Sequence, residues 1–193
     1  FLGDALQNTL RQAAGEEIAE SHGGRSLSIG VSTSPELMAD DSDRNRTSPF
    51  AFTGNKFEFR MVGSSQSIAL ANTILNTILA DSFNAFAIYF EEEGCTPATI
   101  RRVIGETLRS HGRVVFNGDN YSGQWAQEAQ ERGLPAIGDT VQAMEALEDP
   151  KNWKLLGRFG VLTPEECASR RGIMTENYNK VVGIEAATMV QMA

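Results

Sequence analysis

Apolar residues recur at three- and four-residue spacing along most of this chain and alternate with polar ones in only two short places. Ile68, Ala71, Ile74, Leu75, Ile78, Leu79, Phe83 and Phe86 follow one another at helical intervals, which predicts a long helix over 67–92. Cys95-Thr96-Pro97 closes it and opens a second helix over 98–110, striped by Ile100, Val103, Ile104, Thr107 and Leu108. Near the start, Ala5, Leu6, Thr9, Leu10 and Ala13 predict a short helix over 4–14 with Asp4 as its cap. Further on, the pattern predicts a polar helix over 122–132 stopped by Gly133, one over 140–148 capped by Thr140, and one over 150–157 opened by Pro150. Thr163-Pro164-Glu165-Glu166 is a capping box with Pro at the first helical position, so a last helix starts there and runs towards the C-terminus, with a break expected at Gly183.

Two-residue alternation marks the strands. Leu27, Ile29 and Val31 predict one over 26–31, and Lys56, Glu58 and Arg60 alternating with Phe57, Phe59 and Met61 predict another over 55–62. Phe57 and Phe59 are expected in a core, packed against the 68–86 helix, with the three charges on the opposite face. Residues 32–53 lack periodicity and read as a loop, 114–116 as a brief strand or extended stretch, and 117–122 as a turn. The layout is a strand-containing first part followed by some 130 residues of helix, a helix-dominated α+β chain.

The 193 residues suit one domain or a little more and are enough to bury a core. With 17 Lys and Arg against 25 Asp and Glu, the net charge of -8 argues against a nucleic-acid partner. Asn72, Asn76, Asp81 and Asn84 interrupt the most apolar stretch, so it reads as a buried helix and not a membrane span. Cys95 and Cys167 share no metal-ligand spacing and are expected as reduced, buried or half-buried thiols of a cytoplasmic protein. His22 and His111 each lie beside a glycine and read as structural or solvent-facing, and Trp125 and Trp153 read as core or interface anchors. The chain opens Phe1-Leu2-Gly3-Asp4, without an initiator methionine or a signal peptide, and reads as a piece of something longer.

The candidate chemistry lies at Lys56, Glu58 and Arg60, with Arg44 and Arg46 arriving from the preceding loop. By spacing alone, a carboxylate between two cations fits a solvated strand face with weak ion pairs. It fits equally a site where a carboxylate binds a metal while cations hold phosphoryl oxygens. The contiguous run Arg-Asn-Arg-Thr-Ser-Pro-Phe-Ala-Phe-Thr-Gly-Asn-Lys-Phe-Glu-Phe-Arg, residues 44–60, separates the two. It resembles the glutamine synthetase signature, and its form is similar to the large type III branch of that family.

That resemblance implies a few strands from the end of a glutamine synthetase catalytic domain, 1–95, followed by a helical C-terminal domain, 96–193. It implies ATP-dependent ligation of ammonia to glutamate through a γ-glutamyl phosphate, a step of glutamine biosynthesis and nitrogen metabolism. It further implies Mg²⁺ or Mn²⁺, ATP as substrate, and a homo-oligomeric ring in a cytoplasmic enzyme. By resemblance, Glu58 is a metal ligand, Arg60 and Arg46 are catalytic, and Lys56 and Arg44 are ATP-side cations. Two departures stand out. Where shorter members of the family carry a second loop arginine this chain has Ala51, and where they open the strand motif with arginine it has Lys56, a point charge without the bidentate fork. The remaining metal ligands of the family would lie upstream of Phe1, so this chain alone is expected to be inactive. The alternative is a helical subunit-interaction module without catalysis of its own.

Overall fold

The computed structural model describes residues 1–16, 26–27, 37–38, 48–60, 63, 66–119 and 123–193. It is a helix-dominated α+β chain that divides into two compact units, Phe1–Gln66 with Tyr89–Ala136, and Ser67–Ile88 with Ile137–Ala193.

In the first unit, α1 (Asp4–Ala13) is entered through Gly3 at φ 77°, and Asp4 lies in its first turn instead of capping it. The segment leading into it is held from far along the chain. Asn117 Oδ1 accepts hydrogen bonds from the backbone N–H of Leu2 at 3.1 Å and of Gly3 at 3.2 Å, and its Nδ2 donates to Gln7 Oε1 at 2.8 Å. Free amides at a helix start need such an acceptor. α1 packs on α3 (Pro97–His111) beside buried Gly105, where an added Cβ would stand 3.6 Å from the Ala14 methyl.

Short antiparallel pairs make the sheet structure. β1 (Ser26–Leu27) pairs with β2 (Leu37–Met38), and β3 (Phe50–Phe52) with β4 (Phe57–Phe59). Both β2 and β3 fall in the stretch read as loop. Gly54, at φ +94°, lets the chain reverse between β3 and β4, and the Thr53 N–H bonds to the Lys56 carbonyl at 2.8 Å. Phe1 lies beside β3 as a parallel neighbour: its amino group donates to the Phe50 carbonyl and its carbonyl accepts from Phe52 N–H, both at 3.0 Å.

The long helix α2 (Ala69–Glu93) ends at Gly94, whose φ of 78° turns the chain towards Thr96 and Pro97. Thr96 and Thr99 form a reciprocal capping box, and the Thr99 hydroxyl also donates to the Gly94 carbonyl at 2.6 Å. Arg102 of α3 fastens this corner, reaching Glu93 at 2.6 Å while its guanidinium lies 5.4 Å from the centre of the Tyr89 ring. A 3-10 turn (Gly112–Val114) follows, so Val114 belongs to a helical turn and only 115–116 to the expected extended stretch.

After α4 (Gln124–Glu131), the second unit builds its core from α5 (Thr140–Glu145), α6 (Pro150–Arg158) and α7 (Pro164–Met192). Asp139, not Thr140, caps α5, and Asp149 caps α6. Leu156, Leu162 and Cys167 are buried together, with Trp153 and Val161 packed on them. Burial lifts the Cys167 thiol above its ordinary value and keeps it neutral, whereas Cys95 is exposed, contrary to the expectation of a covered thiol. α7 continues through Gly183 without a break.

The principal surprise is how much apolar surface stays open. Phe57 is 50% and Phe59 40% exposed, so neither is the core residue that alternation predicts. Phe57 stacks at 5.5 Å on Phe50 and lies 5.3 Å from Phe52, and the aromatic face of the hairpin contacts itself more than a covering layer. On α2 the one buried side chain among the described residues is Thr77, while Phe83 is 66% exposed.

The start of α7 offers a direct check on the fold. The Thr163 hydroxyl accepts from Glu166 N–H at 3.2 Å and the Glu166 carboxylate accepts from Thr163 N–H at 2.8 Å. Thr163→Ala should cost about 1 kcal/mol, lowering Tm by roughly 2–4 °C in a thermal melt. Thr163→Ser should melt like the parent.

Candidate functional site

The β3–β4 hairpin carries the predicted charges. Antiparallel register sets Phe50 opposite Phe59, Ala51 opposite Glu58 and Phe52 opposite Phe57. Pleating therefore places Glu58 on one face with Ala51 and the phenylalanines on the other. Ala51 is fully buried, so the charged face is the better covered of the two around its centre. Beyond β4 the ladder extends by one bond, from Arg60 N–H to the Pro49 carbonyl at 2.8 Å, which holds Arg60 in line with Glu58.

Both carboxylate oxygens of Glu58 are engaged. Lys56 Nζ lies 3.0 Å from Oε1, and Arg60 Nε donates to Oε2 at 3.3 Å. The three groups are graded in exposure: side-chain values are 65% for Lys56, 37% for Glu58 and 14% for Arg60. Arg60 is thus fixed by covering structure as well as by its carboxylate, while Lys56 extends into solvent. The hydrogen bond from Lys56 holds the Glu58 carboxyl below its ordinary value, helped by the charge of Lys56 and by Arg60 and opposed by partial desolvation.

The structure brings Lys56, Glu58 and Arg60 together on one strand face. Arg44 and Arg46 lie outside the described residues. Ala51, noted in the sequence as standing where an arginine could be, is the direct cross-strand neighbour of Glu58. A methyl group there leaves the flanking cations of the same strand as the described charges that reach the carboxylate. A divalent ion would find one carboxylate here, already paired with two cations, and the described residues hold no group of three metal-binding side chains. By themselves they do not make a metal site.

Sequence comparison shows what this chain is similar to. Residues 99–193 match the profile described as "Glutamine synthetase C-terminal domain". The whole chain is 40% identical over 195 residues to the type-3 glutamine synthetase of Dictyostelium discoideum, covering 26% of that protein. The resemblance to that protein extends over the whole of this chain. The chain is also 35% identical over 201 residues to a glutamine synthetase of Bacteroides fragilis and 36% identical over 197 residues to one of Butyrivibrio fibrisolvens, in each case covering 27% of the relative. The chain therefore spans about a quarter of the length of these curated relatives. No described helix is long and apolar enough to cross a membrane.

Asn117 lies in a stretch whose residues by themselves predict a plain turn. Its partners, Leu2, Gly3 and Gln7, are more than a hundred positions away, and no local pattern announces such a bond.

The paired carboxylate has a measurable signature. A depressed carboxyl contributes stability that is present above its unfolded value and lost as pH falls through its folded one. Glu58 should accordingly titrate below 4.5 in the parent, and Lys56→Ala should move its midpoint up towards 4.5, read by the carboxyl ¹³C shift. An unchanged midpoint would mean that Lys56 does not hold the carboxylate in solution.

Proposed function

We propose that this chain is the C-terminal portion of a glutamine synthetase, with 1–95 completing the catalytic domain and 96–193 forming a helical domain. The reaction is the ligation of ammonia to glutamate at the expense of ATP, through a γ-glutamyl phosphate. The observation that carries this reading is the strand on which Glu58 lies 3.0 Å from Lys56 and 3.3 Å from Arg60, in a chain similar over its full length to glutamine synthetases.

Phosphoryl transfer gathers negative charge on oxygens, and fixed cations lower its barrier more than mobile ones because they need no reorganisation. Arg60, largely covered and held in line by the backbone, is suited to that work. Its planar fork can hold a phosphoryl group or a carboxylate bidentately. Lys56, more exposed and on a flexible stem, is suited to a milder role beside ATP. Arg46 and Arg44 are assigned with Arg60 and Lys56 respectively, by resemblance of the loop that carries them. Glu58 is this chain's contribution to a Mg²⁺ or Mn²⁺ site whose other ligands belong to sequence outside it. In the intact protein such an ion supplies charge neutralisation at ATP. The natural setting is a cytoplasmic homo-oligomer.

A second reading, an assembly module, is favoured by the end of α7. Ile184 is 60%, Met189 72%, Val190 78% and Met192 82% exposed, and Glu185 is the lone charge between residues 181 and 192. A helix apolar on all sides belongs inside a larger core. Removing residues 181–193 from the intact protein should reduce its assembly size by light scattering if α7 serves subunit packing.

Catalysis is tested in the intact protein by Arg60→Ala and Glu58→Ala. Each should lower γ-glutamyl synthesis by a hundredfold or more, about 3 kcal/mol of lost transition-state stabilisation, with an unfolding curve close to the parent's. Lys56→Ala should be milder. Near-normal turnover from well-folded Arg60→Ala would overturn the assignment of this strand to the active site.

A further inference from the structure

Within the first unit, α1, the 3-10 turn and α4 surround a polar cavity of about 540 Å³. Its walls include Gln7 and Arg11 from α1, Arg113 from the turn, Asn117 just after it, and Glu128 and Arg132 from α4. Three arginines and one glutamate line it, and Glu16, paired with Arg11, stands at its edge, so the wall keeps a positive excess centred on Arg113 in a chain whose net charge is -8. A smaller cavity of about 220 Å³ shares Gln7 and Arg11 with it and adds Arg109.

The three arginines are differently committed. Arg132 is built in: Nη1 donates to the Arg113 carbonyl at 2.8 Å and the Val115 carbonyl at 2.7 Å, Nη2 pairs with Glu128, and the guanidinium lies 5.8 Å from the centre of the Trp125 ring. Arg11 has a long ion pair of 3.8 Å with Glu16, both side chains about half exposed. Arg113 has no carboxylate partner among the described residues, and its guanidinium reaches the Arg132 carbonyl at a long 3.5 Å. Asn117 accepts at Oδ1 from the start of α1 and donates to Gln7 Oε1, which orients the Gln7 amide with its N–H groups as further donors. The wall thus combines a rigid cation, two cations with capacity to spare and an oriented amide.

We propose that this cavity binds a small anion presenting carboxylate or phosphate oxygens, with Arg113 as its principal partner and Arg11 as its second. Arg113 without a carboxylate partner, and Arg11 held by a long ion pair, offer positive charge to an anion, and guanidinium forks match the paired oxygens of either group. Arg132 supports the site by holding the turn that carries Arg113. The assignment rests on these residues alone and does not depend on the hairpin's role in catalysis.

Calorimetric titration of the intact protein with inorganic phosphate, and separately with succinate, tests it at low ionic strength where screening is weak. Saturable binding of at least one anion is expected, and Arg113→Ala should weaken it about tenfold or more, as loss of a charged hydrogen-bond partner does. A response to phosphate alone identifies phosphoryl ligands, and one to succinate alone identifies dicarboxylates. Phosphate bound elsewhere in the protein would be insensitive to Arg113, so the Arg113-dependent component is the signal. Arg11→Ala, at an exposed position, gives the same reading should Arg113→Ala disturb the unfolding curve. Absence of saturable binding for both anions, or binding unchanged in the well-folded variants, overturns the proposal.

Discussion

The first unit hangs on one side-chain amide. Asn117 satisfies the N–H groups of Leu2 and Gly3, which would otherwise be orphaned at the start of α1. Holding those two residues fixes Phe1, and Phe1 exchanges two backbone hydrogen bonds with β3. β3 in turn sets the register of β4, and through it the position of Glu58 and Arg60. The candidate site is therefore positioned by a chain of backbone bonds that begins at a turn following α3. A side-chain amide is suited to this role because it offers an acceptor and donors in fixed geometry.

Electrostatics at the hairpin follow from the pleat. Lys56, Glu58 and Arg60 share a face because side chains two apart must, and the buried methyl of Ala51 beneath Glu58 brings no countercharge across the strand. The carboxylate is consequently shared between neighbours of its own strand. The exposure gradient from Lys56 to Arg60 separates a mobile cation from a fixed one, and fixed charge is what stabilises a developing phosphoryl charge. One carboxylate between two cations is not by itself a full metal site.

Apolar surface stays open among the described residues elsewhere as well. Phe57, Phe59, Phe83 and the last turns of α7 present side chains that a closed core would cover. Capping boxes at Thr96 and Thr163 and the buried set around Leu156 make the helices well formed locally. What these faces lack is partners, and burial of apolar area is the dominant favourable term in both folding and assembly.

Local rules were legible in the sequence. Helical spacing announced α2 and α3, the Thr163-Pro-Glu-Glu run announced α7, and alternation put Lys56, Glu58 and Arg60 on one side of a strand. Residues 44–60 announced the family, because a contiguous run carries information that isolated charges do not. The tertiary structure decided matters that depend on distant partners. Asp139, and not Thr140, is the cap because its carboxylate accepts from the Gln142 N–H, and β3 formed in a stretch without periodicity because β4 and Phe1 supplied its hydrogen bonds. Phe57 and Phe59 obeyed the pleat yet stayed exposed, since alternation fixes which side a residue faces and not whether anything covers that side. Arg11, Arg113 and Arg132 are scattered over 120 positions and meet only when α1, the turn and α4 come together, so no reading of spacing along the chain could have joined them.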